Sequence, residues 1–249
     1  MAQKKIYFLS DIHLGNRYQP NPKETEKKLV QWLDEVKKDA EAIFFLGDVF
    51  DFWYELKYVV PRGYVRFLGK LSELSDQGIA IHLLIGNHDI WMFNYMSQEI
   101  GAIIHRQPLT ITLYGKNFYL AHGDEVGYRP FTYRFIQGFF RNRLCQILFA
   151  SIHPRWSFAF AQNWSLSSRK KVINAEKLKK AKIRYRKALE TFAQSYLQSN
   201  PDIDFFMFGH LHSIVDVAIP PSARLLIIGD WMTHFSYAEW DGKSLILYH

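Results

Sequence analysis

The chain has 249 residues, of which 48% are hydrophobic and 22% charged, enough apolar sequence for one large domain or a domain with an insertion. That composition argues against disorder. Its formal net charge is +7, and its single cysteine, Cys145, excludes an intrachain disulfide and fits a reducing compartment.

In chain order, residues 4–9 read as a buried strand. Pro22 to Ala40 reads as a helix, with Leu29, Trp32, Leu33 and Val36 at core-face spacing. Ile43 to Leu46 is a second buried strand. Tyr64 to Gln77 is a second helix, stopped by Gly78. Ile79 to Ile85 is a third strand, and a short helix is expected from Trp91 to Ile100. This alternation predicts a largely parallel sheet. The pattern then changes. Leu109–Leu113 and Asn117–Ala121 flank Tyr114-Gly115-Lys116 as a hairpin, and Ile203 to Tyr248 is strand-rich, with turns at Pro220-Pro221 and Asp241-Gly242.

Between these halves lies an interruption from Gly127 to about Leu197. Its first part carries ten aromatic rings between Phe131 and Trp164. Its second part, Asn174 to Gln198, reads as a helix with an Asn cap and a stripe of Leu178, Tyr185, Leu189, Phe192 and Tyr196. Between Arg129 and Lys187 there are fifteen Lys and Arg against one acid, Glu176, which points to a local anionic partner. The whole predicts a single domain over 1–249, a β-rich sandwich of the α/β (α+β) class with helices outside and a helical cap inserted at about 127–198. The start, Met1-Ala-Gln-Lys-Lys5, lacks the apolar segment of a signal peptide. No run approaches the ~18 apolar residues of a spanning helix, so a cytosolic or membrane-surface location is expected.

Five blocks at predicted strand ends carry metal-type donors. They are Ser10-Asp11-Ile12-His13, Gly47-Asp48-Val49, Gly86-Asn87-His88-Asp89, Ala121-His122-Gly123-Asp124 and Gly209-His210-Leu211-His212. Any one alone reads as a turn or a structural residue. Together, Asp, Asn and His without thiolate suit borderline divalent cations such as Mn, Zn or Fe. Two such ions close together serve phosphoryl chemistry by drawing charge from the phosphoryl oxygens.

These blocks resemble the signature of the calcineurin-like metallophosphoesterase superfamily, and the resemblance spans nearly the whole chain. It implies a four-layer αββα sandwich with the site at one edge. It also implies roles: Asp11, His13 and His212 for one metal, Asn87, His122 and His210 for the other, and Asp48 between them. His88 would act on the phosphoryl group or the leaving oxygen as a general acid, oriented by Asp89.

Substrate is a separate question. An aromatic lip, Val49-Phe-Asp-Phe-Trp53, follows Asp48, and the cap joins aromatics to a basic helix. That combination suits an amphiphile with a phosphate head, seated at an anionic membrane surface. Gly-Asp48-Val-Phe-Asp-Phe-Trp53, His122-Gly-Asp124, the inserted cap and Trp164-Ser-Leu-Ser-Ser168-Arg169 are similar to the UDP-2,3-diacylglucosamine pyrophosphatases of lipid A synthesis. The resemblance implies hydrolysis of a lipid-linked nucleotide to UMP and 2,3-diacylglucosamine 1-phosphate. It further implies two Mn²⁺ ions and a peripheral seat on the cytoplasmic face of the inner membrane. One departure stands out: the best-known branch carries Arg where this chain has His88. Trp53, His88, Arg169 and Lys170 are the expected substrate contacts. Two other readings remain open at this level: a nuclease or nucleotide phosphodiesterase that uses the basic helix on a phosphate backbone, and a non-catalytic scaffold of the same fold.

Overall fold

Apolar runs at both ends of the chain become two sheets, which meet face to face. The computed structural model describes residues 4–16, 19–126, 135, 138–153, 155–156 and 175–249. The first sheet has six strands, ordered β11-β10-β1-β2-β3-β4. They are β1 (Lys5–Leu9), β2 (Ala40–Leu46), β3 (Ala80–Leu84), β4 (Ile103–His105), β10 (Tyr237–Trp240) and β11 (Leu245–Tyr248). Strands β1 to β4 pair in parallel, and β10 pairs antiparallel with both β1 and β11. The second sheet is β5-β6-β7-β9-β8, from β5 (Leu109–Leu113), β6 (Lys116–Ala121), β7 (Phe205–Phe208), β8 (Ile214–Ile219) and β9 (Ala223–Ile228). Both expected hairpins form, β5–β6 and β10–β11.

Side-chain alternation divides the apolar residues among three layers of packing. Ile6, Phe8, Phe44, Leu46, Phe118, Leu120, Met207, Leu226 and Trp240 fill the space between the sheets. Tyr7, Leu9, Ile43, Phe45, Ile81 and Leu83 point the other way. They meet Leu29, Trp32 and Leu33 of α1 (Pro22–Val36) and Phe67, Leu71 and Leu74 of α2 (Val65–Asp76). On the far side of the second sheet, Tyr119, Phe206, Phe208 and Leu225 pack against Leu189, Ala193 and Leu197. This is an αββα sandwich.

Three elements depart from expectation, each for a local reason. Helix α1 stops at Val36, because Ala40 is already paired with Lys5 in the sheet. Helix α3 covers only Tyr95–Glu99. The buried Glu55 carboxylate accepts the amides of Asn94 and Tyr95, at 2.8 and 3.1 Å, and so sets its start. Trp91, expected within that helix, instead bridges to Tyr54. The third departure is α5 (Ala175–Ser199), expected as part of the cap. Its second half, through Leu189, Ala193 and Leu197, is the outer layer of the sandwich, whereas Leu178 and Ile183 in its first half are exposed. Helix α4 (Arg143–Ala150), capped by the Asn142 side chain, buries none of its residues.

Candidate metal centre

Strands β1, β2, β3, β6 and β7 all end at one edge of the sandwich, and the five donor blocks follow them. A strand end alone points side chains alternately to the two faces. The chain corrects this by turning sharply: Asp11, His13, Asp48, His210 and His212 all have positive φ, between 45° and 66°. Asp and His adopt this left-handed conformation more readily than most residues, at a cost of order 1 kcal/mol each. Backbone hydrogen bonds then lock the loops to one another. Asp11 N–H donates to Gly47 O at 3.2 Å, His13 N–H to Asp48 O at 2.9 Å, and Gly209 N–H to His122 O at 2.9 Å. Close approach also requires glycine. A Cβ on Gly86 would collide with Asp48 Oδ1, and one on Gly47 would sit 2.5 Å from the His122 ring.

The side chains converge accordingly. Donor atoms of Asp11, His13 and His212 lie within 4.8 Å of one another, as do those of Asp48, His122 and His210. Asp48 Oδ2 stands between the sets, 3.6 Å from His13 Nε2 and 3.3 Å from His122 Nε2. Asn87 Oδ1 is 3.3 Å from His122 Nε2. All seven residues expected as ligands therefore meet at one place.

Orientation is fixed from behind. His122 Nδ1–H donates to Leu46 O at 2.8 Å, which turns Nε2 inward. Asp11 Oδ2 accepts His210 N–H at 2.7 Å and the Ser10 hydroxyl, and Asp48 Oδ1 accepts His88 N–H at 2.9 Å. Each carboxylate thus spends one oxygen on the loops and presents the other to the centre. Burial alone would raise both carboxyls. The imidazoles of His122, His88 and His13 outweigh it and hold Asp48 well below the usual carboxylate range. His212 and His13 likewise bring Asp11 down to about 2.

These residues fit a pair of divalent cations. Asp11 Oδ1 is buried with no hydrogen-bond partner among the described residues, an arrangement that costs free energy unless a cation or proton takes it up. The donors are carboxylate, amide and imidazole, the set that borderline cations accept.

The substrate and acid–base expectations fare differently. Trp53 is wholly buried, packed against Phe50, and its Nε1–H donates to Glu55 at 3.1 Å, so it is a core residue and not a substrate contact. Asp89 does not orient His88. Its two oxygens accept Gly86 N–H and Val49 N–H, each at 2.8 Å, tying two of the loops together. Burial and the neighbouring Asp48 push this carboxyl up to about 7. His88 is oriented instead by Asp51, whose carbonyl accepts its Nδ1–H at 2.8 Å. Arg169 and Lys170 lie outside the described residues.

Four residues bear on the centre without having been anticipated. Asp51 Oδ1 is 3.5 Å from His13 Nδ1, and Asp230 Oδ2 is 3.7 Å from His212 Nδ1. A signal for Asp230 existed: Gly229-Asp230 follows the apolar run Leu225–Ile228, the same pattern as Gly47-Asp48. On α5, Lys182 Nζ donates to His212 O at 3.0 Å, and the Tyr185 hydroxyl donates to Gly123 O at 3.0 Å. Both bring the basic helix against the centre.

Helix α4 is held beside this edge by aromatic contacts. Tyr54 OH donates to Gln146 O at 2.9 Å and Trp91 Nε1–H to Phe140 O at 2.8 Å. The Phe149 ring sits 5.1 Å from Tyr54 and 4.6 Å from Trp91.

Comparison with known proteins agrees with this geometry. The family model described as calcineurin-like phosphoesterase matches residues 4–214. A UDP-2,3-diacylglucosamine hydrolase of Porphyromonas gingivalis is 44% identical, covering 98% of this chain and 97% of that protein. Proteins of the same name from Nitrosococcus oceani and Hahella chejuensis are 28% and 26% identical. They cover 63% and 96% of this chain and 60% and 95% of their own length. With the match running from the first strand past the last donor block, the chain belongs to the calcineurin-like phosphoesterase family.

Proposed function

We propose that this chain hydrolyses the diphosphate bond of UDP-2,3-diacylglucosamine to UMP and 2,3-diacylglucosamine 1-phosphate, a step of lipid A biosynthesis. The observation that carries the reading is 44% identity, over nearly the full length of both chains, to a protein named for that activity. The convergence of seven donor residues at one edge supports it.

In this reading Asp11, His13 and His212 would hold one cation and Asn87, His122 and His210 the other, with Asp48 supplying the carboxylate between the two donor sets. Two cations, manganese in our proposal, would supply charge stabilisation at the phosphoryl oxygens. The protein supplies the rest. The left-handed turns and inter-loop hydrogen bonds fix the donors before substrate arrives, so little reorganisation is needed. His88, with Nδ1–H committed to the Asp51 carbonyl, presents Nε2 as its second ring nitrogen. Burial keeps it below the ordinary imidazole range, and a phosphate beside it would favour the protonated ring that donates to a leaving oxygen.

Helix α4 and the first half of α5, described parts of the inserted segment ahead of Tyr185, would serve as the cap. Its exposed Leu144, Leu148 and Trp156, and the lysines of the first half of α5, suit acyl chains and an anionic membrane surface. No helix among the described residues is long and apolar enough to cross a membrane, and a peripheral seat on the cytoplasmic face of the inner membrane is proposed. Purified protein with Mn²⁺ and detergent should release UMP from UDP-2,3-diacylglucosamine, and a chelator should abolish the release. Absence of UMP under metal-replete conditions would sink the substrate assignment.

A further inference from the structure

His13 and His212 form a stacked pair, 5.0 Å between ring centroids and 16° from parallel. The two rings are arranged alike. Each turns Nε2 toward Asp11 Oδ1, at 3.7 and 3.4 Å. Each turns Nδ1 toward a carboxylate outside the expected ligand set: Asp51 at 3.5 Å for His13 and Asp230 at 3.7 Å for His212. His122 is held differently, since its Nδ1 faces the neutral carbonyl of Leu46.

We propose that Asp51 and Asp230 are positioning residues that support one of the two cation positions, the one formed by Asp11, His13 and His212. The inference rests on the dinuclear reading above. A carboxylate behind an imidazole selects the tautomer with Nδ1 protonated, so that the Nε2 lone pair faces the ion. It also makes that nitrogen more basic and adds negative charge nearby.

Both residues are built in rather than incidental. Asp230 is 2% exposed. Its Oδ1 accepts the amides of Met232, Thr233 and His234, at 2.9, 2.5 and 3.3 Å, and its Oδ2 also meets His234 Nδ1 at 3.0 Å. The Trp231 amide donates to Asp11 O at 3.2 Å, so the Asp230 loop is registered directly on the donor block it serves. Asp51 is placed by its own amide, which donates to Leu14 O at 3.0 Å. Through its carbonyl it also sets His88. One residue thus orients both a ligand of the first position and the imidazole aimed at the phosphoryl group.

The test is Mn²⁺ content and affinity by equilibrium dialysis over graded free Mn²⁺, on wild type, Asp51→Asn, Asp230→Asn and His234→Ala, with folding followed by thermal melts. Wild type should hold two ions per chain. Asp51→Asn and Asp230→Asn should each weaken one ion about 10- to 100-fold and leave the other unchanged. His234→Ala, which touches Asp230 and not His212, should keep both ions. Asparagine retains an oxygen for the amides around residue 230; if that variant nonetheless fails to fold, Asp51→Asn carries the test. Two ions bound by both Asn variants with wild-type affinity, or equal weakening of both ions, overturns the positioning role and leaves the dinuclear reading standing. A wild-type chain that binds no Mn²⁺ overturns both.

Discussion

The donor loops and helix α4 lie at the same edge of the sandwich and are held by opposite means. Asp11, His13, Asp48 and His122 are 0–1% exposed, and their backbones are stitched to one another across four strand ends. Helix α4 buries none of its residues and rests on Tyr54, Trp91 and a few ring contacts. The difference follows from what each region does in the proposed reaction. Charge stabilisation decays with small misplacements, so donors are fixed in advance, even at the cost of five left-handed residues. A cap that receives a long amphiphile must let it in, and weak, mostly aromatic anchoring leaves local opening inexpensive.

If rigidity belongs to the centre, substitutions there should separate activity from stability. Asp48→Asn keeps an oxygen for the His88 amide while removing the charge shared between the two donor sets. Activity should fall by on the order of 10³-fold, while the melting temperature falls only modestly, because the neutral amide loses the pairing with the imidazoles of His122, His88 and His13 but keeps the hydrogen bond that ties the loops. A loss of fold as complete as the loss of activity would break the comparison. The next effect in size is structural. Asp89→Ala leaves the buried amides of Val49 and Gly86 without their acceptor, which should cost roughly 2–5 kcal/mol in urea unfolding. An Asp89→Asn protein should recover part of that loss. If instead Asp89→Ala melts like wild type and loses only activity, Asp89 has a chemical role and our assignment of it to the scaffold is wrong.

The cap side predicts the reverse separation. Tyr54→Phe removes one hydrogen bond, to Gln146 O, and keeps the ring on Phe149. It should raise KM for the diacylated substrate several-fold, the effect of ~1 kcal/mol of anchoring. Hydrolysis of a small aryl phosphodiester that has no acyl chains should be unaltered. Equal effects on both substrates would mean that α4 supports the centre itself.

How much of this was legible beforehand depended on whether the deciding interaction was local. The donor blocks stood out because each follows an apolar run at a strand end, and both hairpins carried their turn residues. At Trp53 and Asp89, adjacency in sequence to the donor blocks does not report where the side chain goes. Trp53 lies five residues after Asp48, but the turn sends its ring into the core against Phe50 and Tyr64. Asp89 follows His88, but one of its two amide partners, Val49, is 40 positions away. No periodicity reports such a pairing. Helix α5 showed its apolar stripe in sequence, while the surface receiving that stripe, the outer face of β6 and β7, is a property of the assembled sheets. Asp230 is the one omission with a visible pattern behind it.

The smallest effect calibrates both regions with an imidazole pair that has no carboxylate behind it. His82 on β3 and His105 on β4 meet with Nδ1 to Nε2 at 2.9 Å, the first also stacked on Phe44 at 4.1 Å. One ring must accept, so the pair is stable only while at least one is neutral. Burial lowers His82 to about 4 and His105 in the same direction. With folded values below the ordinary 6.5, the unfolded chain binds protons first as pH falls. The pair's contribution is therefore complete above about pH 6.5 and is lost toward pH 4. His82 is half-buried, so after discounting for solvent the loss is only about 1 kcal/mol. His82→Gln should melt closer to wild type at pH 4.5 than at pH 7.5. His13, where Asp11 and Asp51 outweigh burial and raise the ring to about 9, should show no such weakening over this range. A wild-type-minus-variant difference that is flat across this range would mean that burial at the β3–β4 edge is too shallow to shift His82, and that the contrast with the centre's imidazoles lies in geometry alone.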